Sequence, residues 1–381
     1  MIVDLPSTTT QDVSKKLVRL RSDTGSMALT RVLTLVVVVD ENEADEAIET
    51  ANDASRQHPC RIIVVVTANR RGSARLDAQI RIGGDAGASE VVVLRLFGPL
   101  AAHGRAVVTP LLLADAPIVA WWPTDPPKDP GADPIGAMAQ RRVTDVSRTK
   151  GSPRSALTRL ARCYSPGDTD LSWSRITLWR ALLTAALDQA PFEPVTSVTV
   201  TGGSDSPSAE LLAGWLAKRL RCPVTLVPSR AGSGIISVRL DRSSGPLDLV
   251  RPQNGTSATL SQPGTPERSI ALPPRSDAEC LADELRRLDP DEPYADALQD
   301  GLAEVSHSRR TSTQAQRQGI TPSVAEARED AARLKREAST SASSAMVEAA
   351  PMPEKADDPE QVEKAAATKL EKVRSKRAER A

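Results

Sequence analysis

Residues 31–67, RVLTLVVVVDENEADEAIETANDASRQHPCRIIVVVT, decide the fold. Positions 31–39 are a near-continuous β-branched and aliphatic run, the pattern of a strand buried on both faces. Ala44, Ala47, Ile48, Ala51 and Ala54 then recur at helical spacing. Glu43, Glu46, Glu49 and Asp53 fall elsewhere on that helix, and Pro59 ends it. Positions 61–67 make a second buried strand. Strand, helix and strand in so short a span form a βαβ unit, which pairs its strands in parallel through a right-handed crossover.

Working outward, 76–82 and 90–96 read as two more strands, and Gly83-Gly84-Asp85 between them as a hairpin turn. Residues 99–113 suit a helix that Pro110 breaks or kinks near its end. Residues 118–122 form a short strand that stops at Pro123. Five prolines in 123–136, PTDPPKDPGADPIG, exclude regular structure and leave a long loop.

A second βαβ pattern begins at Val195. VTSVTV is a strand, TGGSDS a tight turn, Pro207 a first helical residue, and Leu211, Leu212, Trp215, Leu216 and Leu220 the apolar face before a strand at 224–227. Between the two units, a short strand at 143–146 and a helix at 153–163 precede a helix that Ser172 can cap. That helix carries Trp173, Ile176, Trp179, Leu183 and Leu187 on one face. After Ser233 the short alternating runs ISVRL, LDLV, SATL and SIAL read as antiparallel hairpins, and helices at 277–288 and 294–305 close that region.

The fold expected is α/β: an N-terminal α/β domain at 1–150 and a C-terminal one at 151–307, each with a βαβ unit and a mixed sheet. A disordered charged tail follows at 308–381, because that stretch lacks the apolar content to offset ordering entropy.

Composition narrows function. Lys plus Arg equals Asp plus Glu at 49 each, so the chain has no basic excess and no nucleic-acid partner is expected. The start, MIVDLPSTTT, has no signal-peptide pattern. The longest apolar block, 107–122, is interrupted by Pro110, Asp115 and Pro117, so no membrane partner and a cytoplasmic location are expected. Cys60, Cys163, Cys222 and Cys280 are scattered without a CxxC pair, and the only histidines are His58, His103 and His307. No metal, cofactor or catalytic residue is expected from those spacings, and the sequence has neither GxSxG nor HExxH.

Two features remain as candidate sites. Trp121 and Trp122 are adjacent in a strand, so their rings point to opposite faces and cannot share one core. With Pro123 they are a candidate partner contact, since Trp is enriched in binding hot spots. The turn Thr201-Gly202-Gly203-Ser204 joins a strand to a helix start, where free N–H groups can hold a phosphate, although it matches neither dinucleotide nor P-loop fingerprint. An enzyme or binding protein for a phosphate or nucleotide ligand is the alternative function on that ground.

Four blocks carry a family resemblance: LVVVVDENEADEAIETANDASRQHPCRIIVVV, PLLLADAPIVAWWPTDPP, RRVTDVSR and DLSWSRITLWRALLTAALD, in that order along the chain. Together they resemble the glucose-6-phosphate dehydrogenase assembly protein (OpcA) family. The resemblance implies a non-catalytic assembly factor or allosteric activator of that dehydrogenase, which serves the oxidative pentose phosphate pathway. It carries over no catalytic residue.

Overall fold

The computed structural model describes residues 1–24, 33–82, 90–253 and 255–322. The expected turn at Gly83-Gly84-Asp85 and the tail from 323 onward lie outside the described residues.

The first sheet contains β1 (Ile2–Leu5), β2 (Thr34–Asp40), β3 (Arg61–Thr67), β4 (Arg75–Arg81), β5 (Glu90–Phe97), β6 (Ile118–Trp122), β7 (Arg141–Thr144) and β8 (Asp168–Asp170). Their spatial order is β1-β4-β5-β3-β2-β6-β7-β8. From β5 to β8 every neighbouring pair is parallel, while β4 runs antiparallel to both β5 and β1. Numbered along the chain, the parallel strands lie in the order 3-2-1-4-5-6, that of doubly wound sheets that bind dinucleotides at the strand-order reversal. Here the reversal falls between β2 and β6.

Side-chain alternation divides this sheet's core in two. Leu35, Val37, Ile62, Val64, Val119 and Trp121 face one side; Val36, Ile63, Val65, Ala120 and Trp122 face the other. The second side is covered by α1 (Thr10–Thr24), by α3 (Gly104–Val108) and by Ile135 and Ala139 after the proline-rich loop. The segment expected to be one helix at 99–113 is broken. Short 3-10 turns at Gly98–Ala102 and Thr109–Leu111 flank α3, and Pro110 lacks the N–H that would continue α3.

On the first side, α2 (Ala44–Ser55) packs through Ala44, Ala47, Ile48, Ala51 and Ala54, the face that the sequence spacing assigns. The second layer on that side comes from far along the chain. The helices between them are α4 (Pro153–Cys163), α5 (Leu171–Arg175), α6 (Thr177–Leu187) and α7 (Pro207–Leu220), followed by α8 (Asp277–Arg286). Helix α8 lies beside α2 and buries Cys280, Leu281, Ala282 and Leu285 against the first sheet. The first layer therefore draws on residues beyond 150, at 168–170 and 277–286.

The second sheet contains β9 (Ser197–Gly203), β10 (Val224–Ser229), β11 (Ile235–Asp241), β12 (Leu247–Val250), β13 (Ser257–Gln262), β14 (Thr265–Ala271) and β15 (Val305–His307), in the order β14-β13-β12-β11-β9-β10-β15. Only β9, β10 and β15 are parallel to one another; β11 to β14 form the expected antiparallel hairpins. One face of this sheet, with Val198, Val200, Val238, Leu240 and Leu249, packs on α7, α4 and α6. Past residue 308, where the sequence reading begins the tail, Ser312–Arg317 is a helix with Ala315 buried. Both sheets lie in one unit, residues 1–331.

The helix expected from Ser172 is two helices. Ile176, at φ −94° and ψ 6°, separates α5 from α6, and the N-cap is Asp170, whose carboxylate accepts from the Ser172 N–H. The charged side chain one turn-start earlier outcompetes the serine, whose own hydroxyl is buried without a partner.

Candidate functional site

Strand order nominates the crevice at the carboxyl ends of β2 and β6 as a ligand site. Its chemistry does not suit a phosphate. The turn after β2 is Asp40-Glu41-Asn42-Glu43, and the first turn of α2 adds Asp45 and Glu46. Carboxylates occupy the helix N-terminus where a pyrophosphate would need free N–H groups and positive field. Glu46 is fixed there by both guanidinium nitrogens of Arg148, at 2.6 and 2.7 Å, and that hydrogen bonding holds its carboxyl below the usual range.

The loop after β6 folds back over the other side of this region. Asp129 accepts from the Ala132 N–H at 3.0 Å and Asp133 from Ile135 N–H at 2.8 Å, so short polar side chains satisfy a backbone that prolines leave without ladder partners. Gly136 lets it close: a Cβ there would stand 1.8 Å from Pro130 O and 3.1 Å from Cη2 of Trp122. Trp121 and Trp122 are 2% and 3% exposed, on opposite faces of the sheet, and Pro123 is buried too. The opposite placement is what strand geometry requires. Neither ring presents a surface: Trp121 is covered by the α2 and α8 layer, Trp122 by the loop.

The turn at 201–204 engages backbone donors internally, while the Thr201 hydroxyl is buried without a partner. Gly203 N–H reaches Gly234 O at 2.7 Å, Ser204 N–H reaches Ser229 O at 3.2 Å, and Ser206 Oγ caps the Ala209 N–H. Gly202 is needed for packing, since a Cβ would lie 2.6 Å from that of Ala209. Asp205 folds over the turn and accepts from Gly232 N–H at 2.9 Å, placing a negative charge where an anion would sit. Tight geometry therefore accounts for these glycines.

Polar side chains converge instead at the seam where β7, α5 and α8 meet. Arg141, from β7, is buried and pairs with Glu284 of α8, with its Nη1 also reaching Asp289 O at 2.8 Å. Glu284 takes a further hydrogen bond from the Ser174 hydroxyl. Beside this, Arg175 joins Asp145 and Asp277, both at 2.6 Å, and Arg148 extends the network to Glu46. Asp170 is fully buried and accepts from Thr144 Oγ1 at 2.7 Å, Val146 N–H at 3.0 Å and Ser172 N–H at 2.9 Å. Burial, with Asp145 nearby, pushes its pKa up to about 6.

Next to this network a groove of about 930 Å³ runs between α6, Trp215 of α7 and residues 289–293. Its floor is Trp173, whose indole N–H donates to Asp291 at 2.9 Å, with Arg180 stacked 3.7 Å from the ring centroid. Trp173 and Arg180 are seven residues apart and share one face across the break at Ile176. Arg180 makes a 3.3 Å hydrogen bond to Thr177 Oγ1, but its Nε is buried without a partner. Burial pushes its pKa down to about 10, against the opposing pull of Asp291 and Glu284. Sequence reading passed over Arg141, Glu284 and Arg180. The signal for Arg180 is its place in register with Trp173; for the Arg141–Glu284 pair, 143 residues apart, no local signal exists.

Among the described residues, no group of His, Cys, Asp and Glu could hold a metal ion, and no helix is long and apolar enough to cross a membrane.

Residues 51–162 match the family described as glucose-6-phosphate dehydrogenase subunit N-terminal domain, and residues 166–298 match its C-terminal domain family. Comparison with curated proteins returns no match. Among solved structures, one described as trehalose-6-phosphate from E. coli bound with UDP-2-fluoro glucose is similar at 9% identity and a TM-score of 0.22, over 52% of this chain and 65% of that one. A likeness of that size carries no argument about fold or chemistry.

Proposed function

The chain belongs to the OpcA family of glucose-6-phosphate dehydrogenase subunits, and on that premise we propose that it binds the dehydrogenase without catalysing a reaction and favours its active form. The observation that carries this reading is the pair of family matches in tandem over residues 51–298, across both sheets. Two features of the chemistry agree with it. Carboxylates gather at the start of α2 in the crevice that strand order nominates, and the Gly203 and Ser204 N–H groups are engaged within the 201–204 turn, which weighs against a phosphate-ligand reading.

An activator acts only through unequal affinity for two forms of its target. A tenfold shift toward the active form requires tighter binding to that form by about 1.4 kcal/mol. The partnership would be cytoplasmic and would serve the oxidative pentose phosphate pathway. The test mixes the purified chain with purified dehydrogenase and follows sedimentation and NADP reduction together. A complex with raised kcat or lowered KM is expected. Two unassociated proteins with unchanged kinetics would overturn the reading.

A further inference from the structure

Helix α6 buries Trp179, Leu183 and Ala186 and turns a different face outward. Thr177, Ala181, Thr184, Ala185 and Asp188 recur at helical spacing along the groove, and small side chains there let another backbone approach closely. Leu178 is 36% exposed on the same helix and Phe192, just beyond it, is 79% exposed. The opposite wall is the Pro290–Pro293 stretch, stiffened by its two prolines.

Within this groove Arg180 makes no salt bridge among the described residues, and only the field of Asp291 and Glu284 opposes its dehydration. Neither carboxylate closes an ion pair on it: Glu284 pairs with Arg141 and accepts from Ser174, while Asp291, which keeps its charge, is held by the Trp173 indole and the Tyr294 N–H. A partly dehydrated cation with an unsatisfied Nε is costly, and an acceptor that reaches the guanidinium from the groove offsets that cost. We propose that the groove seats a carboxylate-bearing segment of the dehydrogenase, with Arg180 as the anchor that receives the Asp or Glu side chain. This assignment rests on the partnership proposed above and adds where the contact lies.

The rim favours a protein segment over a small free anion. Asp188, Asp289 and Glu292 stand exposed at the groove's edge, and Arg286 and Arg287 only partly offset them. A phosphate must pass those acids, whereas a protein segment can set Lys or Arg against the rim and one carboxylate on the floor. Such a segment would contact both layers of the unit, since the groove is lined by Arg141 of the first sheet and by α6 and α7 of the second layer.

The test compares the full-length wild type with Arg180→Gln, Arg180→Lys and Ala185→Glu for binding to the dehydrogenase, by titration calorimetry at low and at high salt. Loss of a buried charge pair predicts at least tenfold weaker binding for Arg180→Gln, and an intermediate loss for Arg180→Lys, which keeps the charge without the fork. Ala185→Glu changes only an exposed helix position and adds a like charge beside the incoming carboxylate, so it also loses at least tenfold. Arg180→Gln relieves a partly dehydrated cation but gives up its stack on Trp173, so its thermal midpoint changes little, and Ala185→Glu, which keeps that stack, separates lost binding from lost folding. Equal affinity of all four proteins overturns the groove assignment while the partnership stands. No binding by the wild type removes both. Arg180-dependent binding of inorganic phosphate by the chain alone overturns the assignment in favour of a small anion.

Discussion

Two concave regions of this unit differ in what their charges leave undone. At the carboxyl ends of β2 and β6 the acids sit on a helix start, Glu46 is clamped by Arg148, and the loop carrying Asp129 and Asp133 satisfies its own backbone. Beside α6 the balance is incomplete, since Arg180 lies on Trp173 with a buried nitrogen that meets no acceptor. Topology points to the first region and unpaired chemistry to the second. A fold nominates a place, but a site needs groups with unspent capacity there.

Removing Trp122 tests that contrast with the largest effect. Trp122→Ala should cost about 3–5 kcal/mol of stability in denaturant unfolding, the range for deleting a buried aromatic side chain. In the fraction that stays folded, affinity for the dehydrogenase should be unchanged. Weakened binding by a folded Trp122→Ala protein would move the contact to the crevice and reverse the comparison.

The seam can be sharpened through Asp170. Its folded pKa, raised to about 6, lies above the unfolded carboxylate value of 3.8, so between those two pH values the folded chain holds a proton that the unfolded chain has released. Its contribution to stability is therefore fully present below about pH 4 and is lost as pH rises through about 6. Asp170→Asn removes that dependence. The stability of the wild type relative to this variant should rise by up to roughly 3 kcal/mol between pH 7 and pH 4, measured by urea unfolding across that range. Parallel profiles for the two proteins would show that Asp170 stays ionised and that the seam holds a fixed charge.

The smallest expected effect belongs to the crevice itself. NADP, NADPH and glucose 6-phosphate at millimolar concentration should leave the thermal midpoint of the chain unchanged, because a ligand that binds only the folded state raises it. A midpoint that climbs with NADP concentration would mean that the acids after β2 do not close this region.

The βαβ units were legible because buried parallel strands and an alanine-faced helix leave local patterns: 61–67 and 224–227 lie in strands, and α2 buries the five residues its spacing names. The opposed tryptophans were legible for the same reason, since a strand alternates faces whatever surrounds it. What covered them was not. One ring can pack inward while the other packs under the loop or lies exposed, and α8 with the loop at Gly136 decides that both are covered.

The sequence by itself determined an α/β chain with two βαβ units, a run of hairpins and a proline-rich loop. Periodicity of two or 3.6 and the backbone limits of proline act within a few residues and need no partner. Tertiary structure decided the rest. The amphipathic stripe of 277–286 shows that one face is buried, but not that it packs on the first sheet instead of the second. Asp170 and Ser172 both suit a helix start, and the choice turned on a carboxylate that Thr144 and Val146 also hold. Arg180 is an ordinary helical arginine in sequence. It becomes an incompletely paired one because Glu284 pairs with Arg141 and the Trp173 indole holds Asp291 in a hydrogen bond, partners 143 and 118 residues apart. Charge balance is a sum over neighbours in space, and the chain order does not contain that sum.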